Sequence, residues 1–549
     1  RGVGLQECEL TDAERRLCTA ATAGRVLDLR SREAGGDDPA DGRSWGPSRT
    51  IRAGLLRQLV RGEERAAPRP IAVRVRGARI VGPLNLGGRT LICPLELSEC
   101  YLGDPVDLAK ADAPAISLRG SYLHRRLSAR GLRLERTLNL SRGFRCRGPV
   151  RLRGARIGGQ LDLSGGRFHH PRGNAISAEG ARVELGLVCG ERFVADGVVR
   201  LRGARIGMRL DLSGATFHNP SGEALIADGM HLDGDLLGRG GFAADGAVRL
   251  GGAHIGGVLD LTGAKFRNPH GDAISADRLR VEENLICRHG FEADGQVWLR
   301  GAHIGGVLDL AGAKFRNPDG DAINAAGLRV DVGAFWHPDE VSGTLNLAFA
   351  YARVWSDNAI GRATPIVLRG FRYDALRPGS DEVGPRERIA WLNRDPGYSP
   401  QPYGQLAGIY RAEGHDGSAR KVLVASEDRR RRTRERHWPR RAWGRLLWGT
   451  VRYGYQPWIA LLWILALSTV GTLVIMSRPD AELTPGFSAP PRNALLYTVD
   501  MLLPFVDLGY SRWVPHGRVL AVTTVLIGLG WVLATAVVAA FADVLRRSG

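Results

Sequence analysis

Residues 150–163 read "VRLRGARIGGQLDL", and close copies end at Leu212, Leu261 and Leu310, so that Val150, Val199, Val248 and Val297 stand 49 residues apart each time. A chain that restates one segment at a fixed interval builds one unit repeatedly, and such units bury their apolar faces only by stacking on each other. Inside a unit the pattern nearly recurs: Ala155, Ala181 and Ala204 are 26 and 23 residues apart, which divides each unit into two coils. Apolar residues alternate (Val150 with Leu152, Leu161 with Leu163), and Gly and Pro cut the runs short. Period two with such breaks predicts short strands rather than helices. The expected fold is therefore a mainly-β solenoid over residues 71–372, with roughly 12 coils and a length near ~60 Å at the usual strand spacing.

The corners are legible in the same way. Pro171, Pro220, Pro269 and Pro318 are each followed two residues on by Gly, which suggests a turn preset by Pro with Gly at positive φ. Alternation places Leu161, Leu210, Leu259 and Leu310 inside and Asp162, Asp211, Asp260 and Asp309 outside. Cys189 and Cys287 are two whole units apart with Gly238 midway, a column of small interior residues rather than reactive thiols. His254 and His303 stand where Arg156 and Arg205 stand in earlier units, so they read as surface ladder positions and not as metal ligands. The seven cysteines form no C-x-x-C pair and no Cys/His cluster with zinc spacing, which suits a reducing compartment.

The flanks differ from the repeat. Residues 1–70 read as a helical cap: Thr11 and Glu14 form a capping box, and Ile51, Leu55, Leu56, Leu59 and Val60 would share one helical face. Residues 373–400 read as a linker and 401–436 as an αα-hairpin around Gly414–Gly417, with Leu406, Ile409 and Tyr410 facing Val422, Leu423 and Ala425. The formal net charge is +19, yet residues 150–345 hold 22 basic against 24 acidic residues. Residues 429–445 hold nine Arg and one Glu, so the basic character is local.

Residues 453–477 and 519–542 carry no charge, and each is long enough to span a bilayer, with Tyr453, Tyr455 and Trp458 as an aromatic belt. The expected plan is a basic juxtamembrane segment over 437–455, spans at 456–477 and 519–542, an outer loop at 478–518 and a tail at 543–549. Arg429, Arg430, Arg431, Arg432, Arg434, Arg440 and Arg441 precede the first span, and Arg546 and Arg547 follow the second. The positive-inside rule then puts both termini in the cytoplasm and the arginines against an anionic inner leaflet of the plasma membrane. No base-reading or stacking module accompanies the arginines, which disfavours nucleic acid. Within 493–515, Asp500, Pro504 and Asp507 interrupt an apolar stretch and mark either a pore loop or a re-entrant or interface-lying helix. Gly530 and Ala534 form a small-x-x-x-small pair suited to helix packing and homo-oligomers.

The "LDLTGAKF"-type coils resemble degenerate pentapeptide repeats, which form right-handed, four-sided parallel β-helices. The long unit, "YGQLAGIYRAEGHDGSARKVL" (403–423) and the last 100 residues resemble an actinobacterial group of such β-helix proteins with a C-terminal membrane hairpin. Some of that group carry the name membrane-associated oxidoreductase, but no redox motif stands behind the name in this sequence. "GRGGFA" (238–243) approximates a dinucleotide fingerprint without the strand–turn–helix setting it needs. There is no P-loop, no G-x-S-x-G and no H-E-x-x-H, so no catalytic residue, metal ligand or cofactor is expected. The two-helix plan also resembles simple cation channels, although "DLGY" (507–510) lacks the filter's second glycine. A rod near neutral in its middle does not mimic acidic DNA. The expectation is a membrane-tethered binding or scaffolding protein, a sensory role included, with an unidentified protein partner; the alternatives are an oligomeric channel and an oxidoreductase.

Overall fold

The computed structural model describes residues 10–31, 36–62, 69–357, 364–378, 384–434, 458–477, 483–503 and 505–547. The chain divides into two units, Arg1–Pro402 and Tyr403–Gly549.

The first unit is a parallel β-solenoid of about 13 turns. Each turn contributes to four ladders. In one turn these are Gln160–Asp162, the start of strand Arg167–Ser177, the end of that strand, and Arg182–Val183. The first and fourth ladders belong to a 25-stranded sheet, the second and third to an 18-stranded sheet. The register explains the sequence spacing: Asn139, Asp162, Val188, Asp211 and Leu237 stand in line, alternately 23 and 26 residues apart.

The three extra residues of each long turn have a definite place. Between the second and third ladders, His218 pairs with Asp245 and Glu223 with Ala247, so five steps on one strand oppose two on the next. Asn219–Gly222 is the resulting bulge, and the Asn219 side chain closes it by donating to the Glu223 carbonyl at 2.8 Å. Asn268 and Asn317 repeat that bond at 2.8 Å one and two units later. This corrects the expected corner. Pro220 and Gly222 lie within strand Thr216–Ile226, and the left-handed residue is Gly246 on the following turn, at φ +116°. A Cβ there would lie 2.3 Å from the Asn219 carbonyl oxygen and 2.7 Å from that of Gly222. The bulge needs a bare backbone beneath it.

Inside, Leu161, Leu210, Leu259 and Leu310 are buried as expected. Phe144, Phe168, Phe193, Phe217, Phe242, Phe266, Phe291 and Phe315 stack one per turn, with ring centroids 5.3–5.6 Å apart. Cys189 and Cys287 are buried in one interior column.

Both ends of the solenoid are covered. Helix α1 (Asp12–Thr22) opens on the Thr11–Glu14 capping box, and the buried Glu14 also binds Arg52 at 2.6 Å. The cap is not purely helical. Val26–Asp28 pairs with Arg74–Arg76, and Thr50–Arg52 pairs with Arg79–Val81. Ile51 is thus a strand residue opposite Ile80, and helix α2 begins only at Ala53, running to Arg61. At the far end, the expected linker holds strand Arg372–Pro378 and helix α3 (Pro385–Leu392). Asp395 accepts from the Leu368 N–H at 3.1 Å, and Gln401 accepts from that of Gly370 at 3.1 Å. Buried Arg388 of α3 binds buried Asp357. Polar side chains here satisfy an edge that would otherwise pair with another chain.

Helix α4 (Pro400–Ala412) carries the chain into the second unit and is followed by α5 (Asp416–Arg434). They turn at Gly414, whereas Gly417 lies inside α5. Leu406, Ile409, Tyr410 and Val422 are buried; Leu423 and Ala425 are half-buried. Helix α6 (Trp458–Met476), short helix α7 (Ala494–Leu502) and α8 (Gly517–Arg547) complete the unit. Among the described residues, one helix is long and apolar enough to cross a membrane, over Gly517–Thr535 of α8. The first expected span falls on α6, whose apolar stretch Leu462–Met476 is shorter.

Candidate functional site

The outward columns of the solenoid carry what chemistry the first unit has. On the first ladder each repeated Asp does more than face outward. Asp162, Asp211, Asp260 and Asp309 each accept a 3.0 Å bond from the N–H two residues on, closing the corner as an Asx turn. Asp309 departs from expectation: it is buried, covered by the Arg288 guanidinium that binds it. The second ladder alternates basic with acidic residue types, running His169, Asp196, His218, Asp245, Arg267, Asp294, Arg316 on successive turns. His169 meets Asp196 at 3.0 Å, His218 meets Asp245 at 3.1 Å, and Arg316 reaches Asp294 at 3.2 Å. Such hydrogen-bonded and ion-paired rungs stabilise neighbouring strands.

The fourth ladder does the reverse. Arg133, Arg156, Arg182, Arg205, His231, His254, Arg280, His303 and Arg329 stand directly opposite one another on nine successive strands. His254 and His303 are ladder positions, and the His231 and His254 rings stack with centroids 4.6 Å apart. The later rungs are compensated: His231 faces Asp233 at 3.2 Å, Arg280 faces Glu282 at 2.6 Å, and Asp331 lies 2.7 Å from His303 and 2.8 Å from Arg329. Arg133, Arg156, Arg182 and Arg205 have no ion-pair partner among the described residues and are exposed. Adjacent guanidinium groups one strand apart repel by at most about 0.9 kcal/mol in water before screening. The first two of these rungs, Arg133 and Arg156, sit in the most basic stretch of the solenoid, for residues 119–156 hold 12 arginines and one glutamate.

Chemistry of other kinds is sparse. Burial pushes the Cys100 thiol up to about 12 and that of Cys146 to about 11, and it raises those of Cys189 and Cys287 well above the ordinary thiol value, so none offers a thiolate near neutral pH. Among the described residues no three His, Cys, Asp or Glu side chains group to hold a metal ion. "GRGGFA" sits at a solenoid corner, with Gly240 and Gly241 at positive φ.

In the second unit, Arg429, Arg430, Arg431, Arg432 and Arg434 lie on α5, and Arg430 reaches Glu427 at 3.4 Å. Arg440, Arg441 and Pro504 lie outside the described residues. Asp500, on α7, is buried and accepts from the backbone N–H groups of Leu508, Tyr510 and Ser511 at 2.5, 2.9 and 3.1 Å. Its carboxylate thus fills a nest built by its own loop. Asp507 is exposed and accepts from the Gly509 N–H at 2.9 Å. Gly530 packs within the unit, since a Cβ on it would lie 2.0 Å from the Leu502 carbonyl oxygen. The sequence marked that glycine as a packing position; its use against α7 depends on a fold-back that local pattern does not encode. Comparison with known proteins finds no matching family model, no matching curated protein and no matching solved structure.

Proposed function

We propose that this chain is a non-enzymatic, membrane-anchored β-solenoid whose repetitive surface binds and scaffolds a protein partner. The observation that carries the reading is uncovered apolar surface. Leu520, Val525, Ile527, Leu529, Trp531 and Val538 of α8 are exposed, as are Leu462, Trp463, Leu465, Val470, Leu473 and Met476 of α6. Side chains of this size are costly to leave in water, at about 25 cal/mol per Å² of apolar surface. A bilayer is the environment that removes the cost. In this reading α6 and α8 both enter the membrane, and the arginines from Arg429 onward hold the solenoid on the cytoplasmic side. Support for scaffolding comes from the solenoid itself. Its repeated residues are accounted for by stacking, corner closure and rung pairing, and its ladders present the same groups at regular intervals. A channel reading needs a free carboxylate at Asp500, and that group is engaged by three backbone N–H bonds.

Alkaline carbonate washing of membranes tests the anchor: the chain should stay in the pellet, and release into the supernatant would remove the premise. The scaffold half is tested on detergent-purified protein. A stoichiometric complex with a protein partner and no bound chromophore is expected; a tightly bound flavin or quinone would instead support the oxidoreductase alternative.

A further inference from the structure

We infer that the fourth ladder between Arg133 and Arg205, with its two flanking corners, is a docking strip for an anionic lipid leaflet; this rests on the membrane-anchored reading above. Four arginines stand on consecutive strands with like charges opposed, an arrangement that works against strand pairing. The corner before the ladder adds Arg130, Arg153 and Arg202, and the corner after it adds Arg136 and Arg209, all exposed. Glu135, Glu179 and Glu184 are the interspersed carboxylates, leaving nine arginines against three glutamates on this sector. A guanidinium binds a phosphodiester through paired N–H donors, so an external row of phosphates would relieve the repulsion and occupy the donors.

A second observation selects the source of those phosphates. On the corner after the ladder, Leu185 and Met208 are 50% and 67% exposed. They lie on adjacent turns, joined by the bond from the Met208 N–H to the Leu185 carbonyl at 2.6 Å. Two apolar side chains bordered by Arg182, Arg205 and Arg209 match the boundary between headgroups and acyl chains. A nucleic-acid backbone offers them nothing, and the strip carries no Phe, Tyr or Trp on which bases could stack. The compensated rungs beyond His231 mark where the strip ends.

The full chain, reconstituted in vesicles with nitroxide-labelled lipid, tests this. Cys8 and Cys18 are replaced by Ala; Cys93, Cys100, Cys146, Cys189 and Cys287 are buried and do not label. A bimane is then placed at Met208→Cys, at His218→Cys on the second ladder, or at Val525→Cys on α8. With phosphatidylglycerol present, the probe at 208 should be quenched and the probe at 218 should not. In pure phosphatidylcholine neither should be quenched. Replacing Arg133, Arg156, Arg182 and Arg205 together by Gln should abolish quenching at 208, each arginine being worth roughly a fivefold change in docking. The matching Lys variant should retain it, which separates lost charge from lost fold. Equal quenching at 208 and 218, or quenching at 208 that ignores lipid charge, would overturn the strip. So would a single-stranded oligonucleotide that binds the chain through these arginines while vesicles leave 208 untouched. An unquenched probe at 525 would overturn the anchor as well; quenching at 525 without quenching at 208 removes the strip alone.

Discussion

Gly246 shows how one absent carbon sets the shape of a unit. It takes φ +116° beneath the Asn219–Gly222 bulge, and any Cβ would meet a carbonyl oxygen at 2.3 Å. Gly252, six residues on, is also left-handed at φ +60°, but a Cβ there would meet nothing within 4 Å. Gly246→Ala should therefore cost upward of about 3 kcal/mol, combining backbone strain with a clash that only backbone movement relieves. Gly252→Ala should cost about 1 kcal/mol. Chemical-denaturation midpoints of the two variants check the contrast, and equal shifts would mean that the bulge adjusts freely. A second residue-scale prediction concerns acid. Hydrogen bonds from Arg30 hold the Asp28 carboxyl at about 2, below its usual 3.8. A depressed value means that its stabilisation is complete above pH 3.8 and is lost as pH falls toward about 2. The Asp28→Asn variant should lose that part of the acid sensitivity, as followed by the unfolding midpoint between those pH values. At this scale the sequence was partly legible. Alternation places Asp162 outward, but its corner-closing bond depends on the geometry of the turn. The choice of Gly246 over Gly222 as the left-handed residue is made by the neighbouring turn, which no local pattern reports.

Turns of 26 and 23 residues are not interchangeable elements. A long turn supplies the bulge, and the short turn after it supplies the glycine, as with Asn219–Gly222 over Gly246 and Asn268–Gly271 over Gly295. Removing a whole unit, residues 199–247, preserves that alternation, keeps the Phe ladder in step and should give a shorter folded solenoid with one fewer pair of turns. Removing a single turn, residues 225–247, sets unlike partners together and leaves the Asn219–Gly222 bulge without its bare backbone. That variant should aggregate or unfold at much lower denaturant, whereas the unit deletion should lose only the interfaces of one unit, as expected for nearest-neighbour stacking. Circular dichroism and size-exclusion chromatography of the two deletions distinguish the cases; a unit deletion that fails to fold would show coupling beyond neighbouring turns. The 49-residue period makes this prediction available from sequence alone. The cationic fourth ladder was less legible. Arg156 and Arg205 share the period, but the placing of Arg133 and Arg182 between and beside them follows from unequal turn lengths that only the register resolves. The cap strands were hidden too, because Ile51 continues an apolar pattern that also fits the helix beginning at Ala53.

For the molecule as a whole, the distribution of charge constrains how the proposed anchor is used. Residues 119–156 carry a net of +11 and residues 429–445 a net of +8, which together match the full formal charge of +19. The remainder of the chain is balanced, so these two stretches are the ones that the proposed anionic surface would engage. If both act on the same leaflet, the charge-free lengths of α6 and α8 must return the chain to the side from which it entered. Cysteine probes in intact cells then have a defined outcome. Ser488→Cys, in the loop between the two helices, should react with an impermeant maleimide, and Ser548→Cys should react only after the cells are opened. High salt should leave the chain in the membrane, because the apolar helix does not depend on charge, yet it should release the probe at Met208 from lipid, since screening shortens the reach of each arginine to about 3 Å near 1 M salt. Labelling of Ser548→Cys from outside would place the basic stretch after Arg429 on the outer face, against the positive-inside rule, and would separate the two stretches onto different surfaces.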